Sequence, residues 1–133
     1  MRLERFTEKA QEAFQEAQEI MHAQHHTQLD VEHIFLAMLR QREGLTSRAL
    51  ERLNVDIEMV SQRVERELEK SPKVYGQYGY GSQVYITPRT QRLVKRAEEE
   101  AARLNDQYVG TEHLLIAISG EREGASSRIL NSF

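Results

Sequence analysis

Apolar residues recur with the period of an α-helix in two separate parts of the chain. The stripe of the first part is Ala10, Ala13, Phe14, Ala17, Ile20 and Met21, and that of the second is Leu93, Val94, Ala97, Ala101 and Leu104. Charged and amide side chains fill much of the opposite face of each part. The spacing predicts two amphipathic helices, each of which buries one face.

Start signals precede both helices. Thr7 stands before the first helix, and Thr87 followed by Pro88 stands before the second. A threonine hydroxyl at the N-cap accepts a hydrogen bond from a free backbone N–H, and proline fits the first helical position. We therefore expect each helix to begin directly after its threonine.

Further along each part of the chain lie two similar stretches, QLDVEHIFLAM and YVGTEHLLIAI. Asp30 or Gly110 can cap the helix that follows, and Glu32 or Glu112 then falls in the first turn, where a carboxylate favours the helix dipole. The run after Glu-His is apolar almost all round. This pattern predicts a central helix in each part that is buried on most sides.

These features belong to an internal repeat. A shift of 80 residues aligns residues 6–53 with residues 86–133 without a gap. Identical pairs include Thr7/Thr87, Gln11/Gln91, Ala17/Ala97, Glu32/Glu112, His33/His113, Ala37/Ala117, Ser47/Ser127 and Leu50/Leu130. We interpret the chain as a tandem duplication of one helical unit.

Gly44 and Gly124 break the two copies before a third short helix, and the first copy alone continues into a fourth helix that begins near Ile57. We predict an all-α fold, a tandem pseudo-twofold repeat of two four-helix units in which the last helix of the second unit is missing. The predicted organisation is one domain, 1–133, with repeat one at 6–71, a linker at 72–85 and repeat two at 86–133. We expect the chain to be a fragment of a longer protein.

Composition and charge narrow the class of function. The 133 residues carry a net charge of −3, from 18 basic and 21 acidic residues, and no cysteine. Binding nucleic acid needs a clustered excess of lysine and arginine, so we expect no nucleic-acid partner. No apolar run reaches the roughly 18 residues of a membrane span, and MRLERFTEKA lacks the apolar segment of a secretory signal. We expect a cytoplasmic protein without a membrane partner.

Histidines are the first candidates for chemistry. His22, His25 and His26 could meet at a helix end, but no carboxylate pattern accompanies them, and we predict no metal site. His33 and His113 follow the repeated glutamate without a serine or cysteine nucleophile pattern nearby. We interpret this pair as scaffold residues that bond a neighbouring backbone.

Glu32 and Glu112 have two interpretations. Either they only favour the dipole of the helix that they begin, or they pair with a guanidinium or ammonium group of a ligand. Thr7 and Thr87 begin helices that should pack nearby, so each copy could supply a corner made of its own threonine and glutamate. The residues alone leave both interpretations open.

The stretches RFTEKAQEA, VEHIFLAM, ITPRTQRLVKRAEEEA and YVGTEHLLIAI resemble the N-terminal domain of the Clp family of AAA+ unfoldases. The resemblance covers essentially the whole chain. It implies a compact domain of two pseudo-twofold repeats of four helices. It also implies that the ATPase modules of the parent protein, which use ATP and Mg²⁺, lie downstream, so that this fragment needs no cofactor and does not hydrolyse ATP.

Within that family the chain looks most like the ClpB branch, whose members are disaggregases that work with the DnaK chaperone system. This resemblance implies a non-catalytic domain, monomeric as a fragment and hexameric in the parent protein. Such a domain engages unfolded or aggregated polypeptide, which the downstream modules then thread. Apolar surface serves that purpose in the branch, and the candidates here are Leu93, Val109 and the linker tyrosines Tyr78 and Tyr80.

The alternative is the ClpC branch, whose N-terminal domain docks adaptor proteins and reads phosphoarginine. Its pocket pattern, an upstream threonine and then Gly-Thr-Glu, is kept in the second copy. The resemblance implies a phosphoarginine or adaptor pocket in which Thr87, Thr111 and Glu112 converge at one surface. The first copy departs from this pattern. It keeps Thr7 and Glu32 but has Asp-Val in place of Gly-Thr, and that aspartate would repel a phosphate, so we expect at most one pocket.

Overall fold

The computed structural model describes residues 3–75 and 85–133, and the fold of these residues is all-α with one short pair of strands. The elements are α1 (Glu8–Ala23), β1 (Gln28–Leu29), α2 (Val31–Arg40), α3 (Leu45–Arg52), α4 (Ile57–Glu69), β2 (Tyr85–Ile86), α5 (Pro88–Arg103), α6 (Thr111–Ser119) and α7 (Ala125–Asn131). Four helices in the first copy and three in the second confirm the predicted fold class.

Helix starts follow the predicted capping residues. The Thr7 hydroxyl accepts a hydrogen bond from the N–H of the third residue of α1, at 3.2 Å, and Thr87 does the same for α5, at 3.1 Å. The helices end alike, because His25 and Asn105, which are equivalent by the repeat, both adopt a left-handed conformation, with φ of 59° and 60°. The first helix of each copy therefore begins and ends at equivalent residues.

Helix α2 lies at the centre of the molecule, and every residue from Val31 to Leu39 is buried. Helix α1 packs against one side of it and α4 against another. Helix α4 presents Val60, Val64 and Leu68 to the core, as its apolar spacing predicts. The prediction of a central helix buried on most sides is confirmed for this copy.

Helix α6 is less enclosed than the sequence predicts. Leu115 is half-buried and Ile116 is 40% exposed, whereas the equivalent residues of α2, Phe35 and Leu36, are 0% and 1% exposed. Helix α4 covers α2, and within residues 3–75 and 85–133 no helix covers α6 in the same way. The expectation that α6 is buried on most sides is therefore wrong for this face.

Short parallel backbone pairings join the two copies at two equivalent points, which we call crossing points. Strand β1 pairs in parallel with β2, and Phe6 forms the equivalent parallel bridge with Val109. The Thr87 N–H donates to the carbonyl of Leu29 at 3.1 Å, and the Thr7 N–H donates to the carbonyl of Val109 at 2.9 Å. Each helix-starting threonine therefore lies against the other copy, not against its own.

Candidate functional site

The first crossing point holds a cluster of charged side chains, which we call the first corner: Asp30, Glu32, Thr87, Arg89 and Glu121. The Arg89 guanidinium donates to both oxygens of Glu32, at 3.0 and 3.2 Å, and to both oxygens of Glu121, at 2.8 and 2.9 Å. Asp30 accepts from Arg89 at 3.3 Å and from the Thr87 hydroxyl at 3.0 Å. One guanidinium thus bridges three carboxylates.

Glu32 is buried, with 6% of its surface exposed, and its hydrogen bonds are satisfied within the protein. Oε2 also accepts from the N–H and the hydroxyl of Ser126 at the start of α7, at 3.3 and 2.9 Å. Burial raises the pKa of Glu32, but the hydrogen bonds and charge of Arg89 and the bonds from Ser126 outweigh it, so the pKa lies below its ordinary value. Hydrogen bonds to Glu121 and Glu32 raise the pKa of Arg89. The first corner is a closed ion-pair network without room for a further guanidinium on Glu32.

The equivalent second corner, formed by Gly110, Thr111 and Glu112 together with Thr7 and Lys9, is open. The Glu112 side chain is 49% exposed, and a Cβ at Gly110 would overlap its Oε1, so the glycine permits this position. Lys9, the counterpart of Arg89, pairs with Glu12 at 3.6 Å on the surface instead. Thr111 is buried, with 6% exposed. Of the two repeated glutamates, only Glu112 is available to a ligand.

The expected grouping of threonines and glutamates needs correction. Thr87 bonds Asp30, beside Glu32, while Thr7 contacts the strand that leads to Glu112. Each corner therefore combines the threonine of one copy with the glutamate of the other, because the chain crosses between the copies there. Thr87 does not join Thr111 and Glu112 at one surface, as the pocket expectation required.

The repeated histidines serve as scaffold, as predicted. Nδ1 of His33 accepts from the Asp30 N–H, and Nδ1 of His113 accepts from the Gly110 N–H, both at 2.9 Å. A neutral imidazole that accepts at Nδ1 donates from Nε2. His33 therefore donates to Nδ1 of His26, at 2.8 Å. His113 donates at the same distance to the residue equivalent to His26, an aspartate at position 106.

The predicted apolar contact residues do not form an exposed surface. Leu93 is 4% exposed and Val109 is 5% exposed, because Leu93 lies on the buried face of α5 and Val109 bridges Phe6. Tyr78 and Tyr80 lie outside the described residues. Of the other linker tyrosines, Tyr75 packs on the His25 ring, with centroids 4.4 Å apart.

An apolar surface exists elsewhere, between the copies. A cavity of about 450 Å³, which we call the inter-repeat groove, lies between α3 of the first copy and α6 and α7 of the second. Its lining is Ala49, Leu50, Leu53, Val55, Leu115, Ile116, Ser119, Leu130 and Phe133. Leu53 is 71% exposed and Phe133 is 44% exposed. The groove is the face of α6 that α4 covers in the first copy.

Comparison with known proteins identifies this architecture. The family model described as Clp repeat (R) N-terminal domain matches residues 5–133. The chain belongs to this family. The chaperone protein ClpB of Bacillus anthracis is 37% identical over 133 residues, which is 100% of this chain and 15% of that protein. The negative regulator of genetic competence ClpC/MecB of Bacillus subtilis is 33% identical over 128 residues, which is 96% of this chain and 15% of that protein.

A solved structure shows the same fold. The Hsp104 N-terminal domain of Candida albicans superposes with a TM-score of 0.82 at 20% identity, covering 97% of this chain and 81% of that one. This Clp N-terminal domain spans only 14 to 15% of the length of the ClpB relatives that it matches. Within residues 3–75 and 85–133, its helices are too short or too polar to cross a bilayer.

Arg89 is the residue at this site that the sequence pattern did not identify. Its partner Glu32 lies 57 residues away in the chain, and its own counterpart in the first copy is a lysine without an equivalent contact. One signal was present: the first copy places Asp30 two residues before Glu32, and two carboxylates so close favour a nearby cation. The sequence did not show which cation this is.

Proposed function

We propose that this Clp N-terminal domain is the non-catalytic, polypeptide-engaging domain of a ClpB-type disaggregase. The observation that carries the proposal is the inter-repeat groove, an apolar cavity open to solvent and bordered by both copies. Its exposed apolar side chains match the chemistry of an unfolded client, whose apolar residues are not yet buried. Higher identity to ClpB than to ClpC relatives agrees with this assignment.

The first copy indicates what shape of segment fits. Helix α4 covers the face of α2 that corresponds to the groove, using apolar residues spaced four apart at Val60, Val64 and Leu68. A segment with apolar residues at that spacing can lie on α6 in the same manner, as a helix in a groove, whether it belongs to a client or is the fourth helix that the repeat predicts for the second copy. The proposed ligand is therefore an amphipathic segment of a polypeptide that has not folded.

The test is an NMR titration of the isotopically labelled chain with an unfolded, uncharged model polypeptide. We expect shifts centred on Leu53, Ile116 and Phe133, and loss of these shifts in Ile116→Glu. The matched control is Met59→Glu, since Met59 is equally apolar, is 51% exposed and lies on α4 outside the groove. Shifts unaffected by Ile116→Glu, or equally reduced by Met59→Glu, would contradict the proposal.

A second candidate function is the reading of phosphoarginine or the docking of adaptors, as in the ClpC branch. The exposed carboxylate of Glu112 beside Gly110 favours it, because a free carboxylate can accept a guanidinium. The closed first corner limits it to one site. Titration with free phosphoarginine tests this candidate. Shifts around Glu112 that vanish in Glu112→Gln would favour it over the disaggregase assignment.

A further inference from the structure

A second groove lies on the other side of α6, and its rim is basic. The cavity has a volume of about 630 Å³ and runs between α5 and the end of α6. Its exposed cations are Arg92, Lys95, Arg96 and Arg122, and its floor is formed by Leu93 and Ala117. None of the four cations has an ion pair or a side-chain hydrogen bond with another residue in 3–75 or 85–133. We call this cavity the basic groove.

The acidic residues beside the groove do not neutralise it. Glu121 is bonded through both oxygens to Arg89, at 2.8 and 2.9 Å, and shares that one guanidinium with Glu32 and Asp30. Glu99 is the other carboxylate of the lining. The lining has five basic and two acidic residues, which leaves a net positive groove in a protein whose net charge is −3.

The same place in the first copy is acidic at two of the rim positions and is covered by an arginine side chain. The residues equivalent to Arg92 and Arg96 are Glu12 and Glu16, by the shift of 80. Glu16 pairs at 3.4 Å with Arg40, whose side chain extends over this face from the end of α2. Gly120 stands at the position equivalent to Arg40 in the second copy.

Gly120 is what keeps the basic groove open. Its φ of −92° is available to any residue, and a Cβ there would meet the backbone of Ile116 at an ordinary 3.5 Å. The backbone therefore does not require glycine at this position. The second copy has glycine where the first has arginine, and this leaves space beside Arg96. In this part of the rim the acidic residues of the first copy are replaced by basic residues in the second.

We propose that the basic groove binds acidic segments of client polypeptides, with carboxylates on the rim cations. The proposal deepens the proposed function, since it names a class of client and rests on the clients being polypeptides. Charge complementarity identifies the occupant, because a groove with four unpaired cations attracts carboxylates and repels basic segments. It lies on the opposite side of α6 from the inter-repeat groove, so the two sites can be tested separately.

The experiment measures binding of a labelled, unstructured peptide of glutamate, leucine, glycine and serine. A matched peptide has lysine in place of each glutamate. At low salt we expect the glutamate peptide to bind at least about tenfold more tightly, and we expect the difference to shrink at high salt because the rim charges are screened. Equal affinity of the two peptides would overturn the proposal.

Two variants locate the effect. Arg92→Glu combined with Arg96→Glu should weaken binding of the glutamate peptide by about tenfold or more. The control, Arg48→Glu with Arg52→Glu, makes the same change of net charge at the same spacing on the exposed face of α3, and should change affinity by less than about twofold. An equal loss in the control pair would show that net charge alone is responsible and would overturn the proposal.

Gly120→Gln tests whether binding needs the open volume of the basic groove, because the glutamine side chain fills that volume without changing any charge. We expect it to weaken binding of the glutamate peptide, and unchanged binding would overturn the placement in this groove. A peptide with serine in place of each glutamate separates the two proposals. Its binding should depend on Ile116 and not on Arg92 and Arg96, so the polypeptide function can survive failure of the acidic preference.

Discussion

The guanidinium of Arg89 in the second copy bonds both carboxylate oxygens of Glu32 in the first, at 3.0 and 3.2 Å. This pair joins the two halves of a duplicated chain at a point where 8% of the Glu32 side chain is exposed. The side chain of the equivalent glutamate, Glu112, has no arginine partner among residues 3–75 and 85–133 and is 49% exposed. The duplication has thus given one sequence position two roles, a structural ion pair in one copy and an available carboxylate in the other.

The two glutamates should therefore respond differently to the same substitution. We expect Glu32→Gln to reduce the free energy of unfolding by roughly 1–3 kcal/mol, because it removes the charge that Arg89 and Ser126 stabilise, although Arg89 keeps Glu121. Glu112→Gln should cost less than about 1 kcal/mol, since Glu112 interacts mainly with the dipole of α6. Urea unfolding of both variants at neutral pH is the measurement. Equal losses would show that the Glu32 network contributes nothing beyond the helix dipole.

The elements of the fold were predictable because they depend on neighbours in sequence. Three features depend on nearby residues or recur at the constant shift of 80. They are the helical spacing of apolar residues, the caps at Thr7 and Thr87, and the scaffold role of the repeated histidine. The Arg89–Glu32 pair was not predictable in this way. The pair depends on which copy each helix-starting threonine packs against. The pairing of strands between the copies determines this, and the spacing of residues along the chain does not reveal it.

The exposure of α6 was missed for a related reason. Its sequence is as apolar as that of α2, so periodicity alone assigns both helices to the interior. What distinguishes them is the presence of α4 over Phe35 and Leu36, which is a tertiary fact. For the same reason the sequence analysis chose Leu93 and Val109 as apolar contact residues, although both lie in the core.

Truncations at equivalent positions of α2 and α6 measure that difference. Leu36 is 1% exposed and Ile116, its counterpart, is 40% exposed. We expect Leu36→Ala to cost about 2–5 kcal/mol, as a truncation that leaves a cavity in a packed core. Ile116→Ala should cost less than about 1 kcal/mol, because much of its side chain is already in water. Chemical denaturation gives both values, and a similar loss at the two positions would mean that the α6 face is covered.

Acid should destabilise the domain through His33. Burial, and then the neighbouring His26, lower the pKa of His33 from 6.5 to about 4. In this interval the unfolded chain binds a proton that the folded chain does not, so stability falls as pH decreases from about 6.5 towards about 4. The full loss is about 3.5 kcal/mol, since each unit of pKa difference corresponds to about 1.4 kcal/mol.

The measurement is the free energy of unfolding in urea between pH 7 and pH 5. In this range the Glu32 carboxylate, whose pKa is also lowered, stays ionised in the folded chain and contributes little slope, because the unfolded carboxylate binds protons mainly near its ordinary pKa of 4.5. His33→Gln removes this titrating group and should make the dependence on pH less steep, whatever its cost at neutral pH, and the remaining slope belongs to His26, whose pKa burial also lowers. An unchanged slope in that variant would assign the acid sensitivity to another residue.

The equivalent histidine in the second copy has a different hydrogen-bond partner, which suggests a substitution that changes the titration of His33. His33 donates to His26, whereas His113 donates to Asp106, the residue at the same place in the repeat. His26→Asp should therefore raise the pKa of His33 above about 4, because a carboxylate stabilises the imidazolium that a second imidazole opposes. Titration of the His33 ring resonances by NMR measures this directly. His26→Asn is the matched control, and it should produce a smaller rise, since it removes the neighbouring imidazole without adding a negative charge. If both variants leave the pKa of His33 unchanged, burial alone sets it, and the divergence between the copies at this position has no electrostatic effect on the histidine.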